Sequence, residues 1–330
     1  MRTSTGFAGH HHCWLGPISV SVLLFQASSL CKAQEDVDDT EVVATVNGEQ
    51  IYLREVQREL QTAFGTRRIA DSARPYLQAK TLAQLVDRRL IIQWLRATDR
   101  AASKAEIDLE VSRLEKRLES REISLAKHVD SIGMTDAEMR RLLEWQISWR
   151  KFLDRYLTDD NLERYFNDHR RDFDGTRMRV AHILLKVGAE AEYMETVQRA
   201  NKIRDSIVQG QISFEEAAKL HSIAPTASQG GDIGFIDRHQ PMHEAFSRAA
   251  FALSEHEVSD PIVTPFGVHL IRCLEIEPGQ RTWAEERQAL TTAISVYLFD
   301  WAASKEHSGA EIQLKDDFPH FIPGTEDLAN

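Results

Sequence analysis

Between Ala73 and Leu157 the apolar residues of this 330-residue chain return at helical spacing, and nothing in that interval alternates as a strand would. Leu82, Leu85, Val86, Leu90 and Ile91 mark one such face. Ser103 with Glu106 and Thr135 with Glu138 each fit a capping box, in which a hydroxyl and a carboxylate satisfy free N–H groups at a helix start. Several helices must therefore follow one another without an intervening strand. Ile107, Val111, Leu114 and Leu118 form a narrow stripe on a charged helix over 106–122, read as one buried seam or as an edge left open to a partner. Trp145, Trp149, Phe152 and Tyr156 form a second stripe, read as core packing.

The segment before these helices differs. Residues 41–60, EVVATVNGEQIYLREVQREL, alternate on both sides of Asn47-Gly48, a strong hairpin signal, and then turn helical. Further upstream, Leu15 to Leu30 is apolar with small residues, no acidic residue precedes Glu35, and Cys31-Lys32-Ala33 offers a small-x-small site. This pattern predicts a secretory signal peptide over residues 1–33, although an uncleaved anchor would use the same residues. Its removal takes Cys13 and Cys31 and leaves Cys273, so the exported chain could form no internal disulfide. Acidic residues outnumber basic ones 51 to 40, and no basic stripe argues for nucleic acid.

After Asp174-Gly175 the period changes again. RMRVAHILL (177–185) reads as a strand, residues 191–210 as a helix closed by Gly210, and 213–221 as a helix with Ser213 and Glu216 in a third capping box. A loop, HSIAPTASQGGDIGF (221–235), leads to a helix near Met242–Ala250 and a strand over 267–276. The order β-α-α-loop-α-β predicts a small α+β domain whose outer strands are sheet neighbours. A long helix after Pro278, apolar along Trp283, Leu290, Ile294, Leu298 and Trp301, needs a partner, and the N-terminal helices are the nearest candidate. The tail after Asp316 has no strong pattern.

AHILL, FEEAAKLHS, GGDIGF, the Met242/Phe246 spacing and FGVHLI, in that order, resemble the parvulin family of peptidyl-prolyl cis/trans isomerases. The flanks resemble exported SurA/PrsA-type foldases, in which a helical chaperone module accompanies such a domain. The resemblance implies an α+β fold: a parvulin-like domain, a small antiparallel-rich sheet with surrounding helices at 174–277, inserted in a mostly helical chaperone domain formed by 34–173 with 278–330. It implies that Ile233, Met242 and Phe246 form a proline socket with Phe266 on its wall, and that His182, His269 and Thr264 form a hydrogen-bonded network. Both histidines are polar residues inside apolar strands, so each needs a partner, and the other is the nearest choice. Counting eight residues back from Asp232 places Ala224 where family members carry Cys or Asp. The expected function is isomerisation of X-Pro bonds in unfolded or newly exported polypeptides, including outer-membrane proteins, with client binding, in the periplasm or, anchored to a membrane, facing the periplasm or the cell exterior. The alternative is a holdase whose isomerase site is weak or inactive because of Ala224. No cofactor, metal or nucleic acid is implied: His182, His221, His239, His243 and His269 match no closed set of zinc ligands.

Overall fold

A computed structural model describes residues 41–65, 69, 71, 73–187, 193–239, 241–322 and 328–329. The signal peptide expected over residues 1–33 lies outside the described residues. Two compact units are present: one comprises the described residues up to Thr158 together with those from Thr292 onward, and the other is Asp159–Thr291. No helix among the described residues is long and apolar enough to cross a membrane.

In the first unit, β1 (Val42–Val46) and β2 (Glu49–Tyr52) form the hairpin expected from Asn47-Gly48. Both turn residues have positive φ, 49° and 84°, which is what a two-residue turn matched to strand twist requires. Five helices follow: α1 (Leu53–Phe64), α2 (Arg74–Ala97), α3 (Lys104–Glu119), α4 (Leu125–Ser131) and α5 (Asp136–Asp154). The α3 and α5 capping boxes form as read, with Ser103 and Thr135 accepting from the N–H groups of Glu106 and Glu138. The stripe on α3 is a buried seam and not an open edge, because Val111, Leu114 and Leu118 pack with Met139 and Leu143.

The chain's end returns to this unit. The sheet has three strands, ordered β2-β1-β7, because β7 (Ile312–Leu314) pairs antiparallel with β1. At three residues β7 is too short to show alternation, so the sequence suggested a two-stranded hairpin. On α11 (Arg287–His307) the buried residues include Leu298, Phe299, Ala302 and Ala303, and Trp301 is half-exposed. Phe299 meets Trp145 and Trp149 edge-on at 6.2 and 5.8 Å, and Trp94 meets Phe152 and Trp301 at 5.4 and 5.9 Å. Each such aromatic pair adds roughly 0.5–1.5 kcal/mol beyond the area it buries, so the C-terminal helix is integral to this core.

The second unit contains α6 (Asp159–Asp168), α7 (Arg170–Phe173), β3 (Arg177–Leu185), α8 (Tyr193–Val208), α9 (Phe214–His221), β4 (Asp232–Asp237), α10 (Glu244–Ala252), β5 (Ile262–Thr264) and β6 (Gly267–Glu277). Its sheet is antiparallel throughout, ordered β4-β3-β6-β5. The two strands read from sequence, β3 and β6, are its central pair; β4 lies partly within the stretch read as loop. Ala181, Ile183, Val268 and Leu270 pack with Ala200, Phe214 and Ala218 from α8 and α9 on one face. Met178, Val180, Ile271 and Cys273 pack with Phe246, Ala250 and Phe251 of α10 on the other. Just before β3 and just after β6, the chain is tied together: the buried Asp174 carboxylate accepts from Thr176 N–H and Oγ1, and the Asp174 carbonyl accepts from Arg281 N–H at 2.9 Å. A Cβ at Gly279 would lie 2.0 Å from that carbonyl oxygen, which explains glycine there.

Candidate functional site

The α10 face of β3 and β6 carries two polar side chains. Residues directly opposed in an antiparallel ladder share a face, and here Ile271 opposes His182 while His269 opposes Leu184. The histidines are therefore diagonal neighbours, two positions out of register. Their rings lie 21° from parallel, with the Nδ1 atoms 3.3 Å apart. On the far side of His269, Nε2 is 2.8 Å from Oγ1 of Thr264, which also accepts from Phe266 N–H at 3.2 Å.

Two Nδ1 atoms in contact require one N–H and one lone pair, so at least one ring is neutral. Burial holds His182 below the usual histidine range. Burial, reinforced by the nearby His182 and His243, pushes His269 down to about 4. Both rings are consequently neutral at neutral pH. The ring of Phe246 stands edge-on to each, at 5.6 and 5.4 Å, and is itself buried. Ile233 and Met242, half-buried, pack against the same cluster.

The 222–231 loop is stitched along β3. Ser222 Oγ accepts from the N–H groups of Leu184 and Ala224, both at 3.1 Å, and Ile223 N–H donates to the Leu184 carbonyl. His182 N–H donates to the Gly231 carbonyl at 2.9 Å. Gly231 has φ of +83°, and a Cβ there would come within 2.4 Å of the His182 carbonyl oxygen, so only glycine permits this approach. Asp232 at the start of β4 accepts from Gly234 N–H and from Arg179.

The fold thus gathers His182, His269, Thr264, Phe246, Ile233 and Met242 around one patch. Ala224 sits buried at the base of the loop. Phe266 is 71% exposed at the β5–β6 turn, outside that apolar cluster. Sequence reasoning missed Arg238, whose guanidinium bonds Asp172 at 2.7 Å and both Glu244 oxygens at 2.8 Å, spanning the turn that holds Met242. Its only sequence signal is an arginine six residues before the glutamate that opens α10. Among the described residues no group of three or more His, Cys, Asp or Glu side chains is placed to hold a metal ion. The patch is chemically suited to gripping an apolar ring and keeping water from a neighbouring amide.

Residues 182–275 match the PPIC-type PPIase domain family, and residues 10–153 match the SurA-like N-terminal domain. Chaperone SurA of Bordetella parapertussis is 36% identical over 100 residues, covering 30% of this chain and 19% of that one. Chaperone SurA of Cupriavidus metallidurans is 40% identical over 93 residues, 28% of this chain and 18% of that one. Foldase protein PrsA of Bacillus subtilis is 32% identical over 164 residues, 48% of this chain and 52% of that one. The alignments thus span about a fifth of the SurA chains and half of PrsA. A crystal structure of PrsA from Bacillus anthracis aligns over 69% of this chain and 95% of that one at 19% identity, with a TM-score of 0.36.

Proposed function

We propose that this chain, which carries a PPIC-type PPIase domain beside a SurA-like N-terminal domain, is a protein-folding factor that isomerises X-Pro bonds in unfolded polypeptides and binds those clients. Its clients are newly exported chains, outer-membrane proteins among them, and its compartment is the periplasm.

The reaction breaks no covalent bond. Amide resonance sets a rotation barrier of roughly 18–20 kcal/mol, and a catalyst lowers it by favouring the twisted amide over the planar one. Ile233 and Met242, above the buried Phe246, take the proline ring. The neutral His182–His269–Thr264 chain forms a rigid floor without a charge that would draw in water. With water excluded, the carbonyl loses the solvation that favours its conjugated, polar form. Phe266 extends the apolar wall from the β5–β6 turn, and Ala224 leaves the loop side without an acid or thiol.

The observation that carries this reading is the continuous contact from Thr264 through His269 and His182 to Phe246. It also favours catalysis over a holdase with an inactive socket, since every part of that floor is assembled. The test is cis-to-trans exchange of a neutral X-Pro peptide. Turnover above the spontaneous rate, lost in Met242→Ala, is expected; a wild-type rate equal to the spontaneous one overturns the reading.

A further inference from the structure

Four arginines, Arg54, Arg89, Arg96 and Arg141, line a cavity of about 470 Å³ in the first unit, between the hairpin strand β2 and the start of α5. Three of them are held from behind. Arg54 Nε bonds Glu138, Arg89 bonds Glu55, and Arg96 bonds Glu144 and Glu49, each at 2.7 Å. Glu138 and Glu55 are buried, so these acids orient the guanidinium groups and are not themselves available to solutes. Glu49 is the one acidic residue among those lining the cavity, and it is engaged by Arg96.

Arg141 is different. It is half-buried on α5 and has no hydrogen bond or ion pair among the described residues. Arg89 Nε is likewise buried without a hydrogen-bond partner. A guanidinium cannot shed its proton, so the charge of Arg141 stays, and its donors, which no group among the described residues occupies, are left to solvent or to a ligand. Thr135, the N-cap of the 19-residue α5, also lines the cavity, adding the positive end of a helix dipole. Four glutamates match the four arginines in number, but all four contact the other three, so Arg141 is the one guanidinium of the recess that no carboxylate among the described residues contacts.

We propose that this cavity binds the carboxylate side chain of an acidic segment in an extended client peptide, with Arg141 as the principal ligand. The proposal rests on the client-binding reading above and adds a class of segment to it. A guanidinium pairs with a carboxylate through two parallel hydrogen bonds, which matches the unfilled fork of Arg141. The cavity is many times the roughly 30 Å³ that one water-sized solute occupies, leaving room for the peptide that bears the carboxylate. Gln50 and Tyr52 on the β2 side of the wall supply polar groups for such a backbone.

The probe is a fluorescein-labelled peptide of alternating Glu and Ala without proline, followed by anisotropy on the full chain, beside its Gln-for-Glu counterpart. The Glu peptide binds, the Gln peptide does not, and added salt weakens the complex. Arg141→Gln weakens it about ten- to hundredfold, the worth of a charge-assisted hydrogen-bonded pair, and Arg141→Lys, which keeps the charge but not the fork, retains part of the binding. Equal binding of the two peptides, or no effect of Arg141→Gln in a variant with the wild-type melting temperature, overturns the proposal. Inorganic phosphate or succinate binding as tightly as the Glu peptide would make this a small-anion site and overturn it too. Turnover of a neutral X-Pro peptide, unchanged by Arg141→Gln, reports separately on the isomerase reading.

Discussion

Arg238 holds Glu244 through two parallel hydrogen bonds of 2.8 Å, and the turn they close carries Met242. A third bond, from Arg238 Nε to Asp172, ties that turn to α7. The arginine is mostly buried, so the bidentate pair is only partly screened by solvent. These bonds join the end of β4 to the start of α10, on either side of Met242.

Arg238→Ala is therefore expected to loosen the socket without removing any group that meets the substrate. kcat/KM for an X-Pro peptide falls about tenfold or more, since small misplacements at a reacting centre are costly. Arg238→Lys recovers part of the loss, because an ammonium cannot reproduce the fork. A melting temperature that drops while kinetics stay unchanged would show the staple to be structural only.

The histidine pair sets a pH dependence. His269 is held at about 4, against an ordinary 6.5, chiefly by burial. Its folded-state pKa is depressed, so the unfolded chain takes up the proton first as pH falls. Stability from this residue is complete above about 6.5 and is lost on acidification toward 4, with a slope of about 1.4 kcal/mol per pH unit. Denaturant melts between these values should show a shallower slope for His269→Asn than for the wild type. Isomerase turnover should stay flat through neutrality and fall on acidification, as the two histidines take up protons.

Much of this was legible in the residues themselves. A hydroxyl three places before a glutamate located the starts of α3, α5 and α9, because the capping box is a local interaction that needs no tertiary context. The same holds for Asn47-Gly48. His182 and His269 stood out as polar residues in apolar strands, but their two-position offset did not. That register depends on a bulge between Arg179 and Val180, which sequence alternation does not reveal. β7, the Arg238 staple and the unpaired Arg141 were hidden for one reason: each is defined by a partner distant in sequence, or by lacking one.

A second titrating group lies in the first unit. Burial, with the charge of Asp87 nearby, raises the Asp300 carboxyl to about 7. Asp87 in turn bonds His307 Nε2 at 2.7 Å, and that contact raises His307. For Asp300 the folded pKa lies above the unfolded one, so stability is greatest below about 4 and declines as pH rises toward 7. Asp300→Asn should accordingly be more stable than the wild type at pH 8, by on the order of 2 kcal/mol given partial exposure, with the gap closing at pH 4. A gap that persists at pH 4 would assign the effect to packing.

Ala224 offers the most direct test of the loop. Its side chain is buried, its N–H is bound by Ser222 Oγ, and the loop is fastened to β3 on both sides of it. Cysteine adds one heavy atom to alanine and tolerates burial, whereas aspartate would bring a charge into a buried position. Ala224→Cys should therefore leave the fold intact and place a weak donor on the loop side of the substrate amide. Turnover should rise by about two- to tenfold, the range of one added hydrogen bond in the transition state. Ala224→Asp should raise the rate less and lower the melting temperature more. If neither variant changes the rate while both fold, position 224 does not face the substrate, and the limit on catalysis lies in the socket formed by Ile233, Met242 and Phe246.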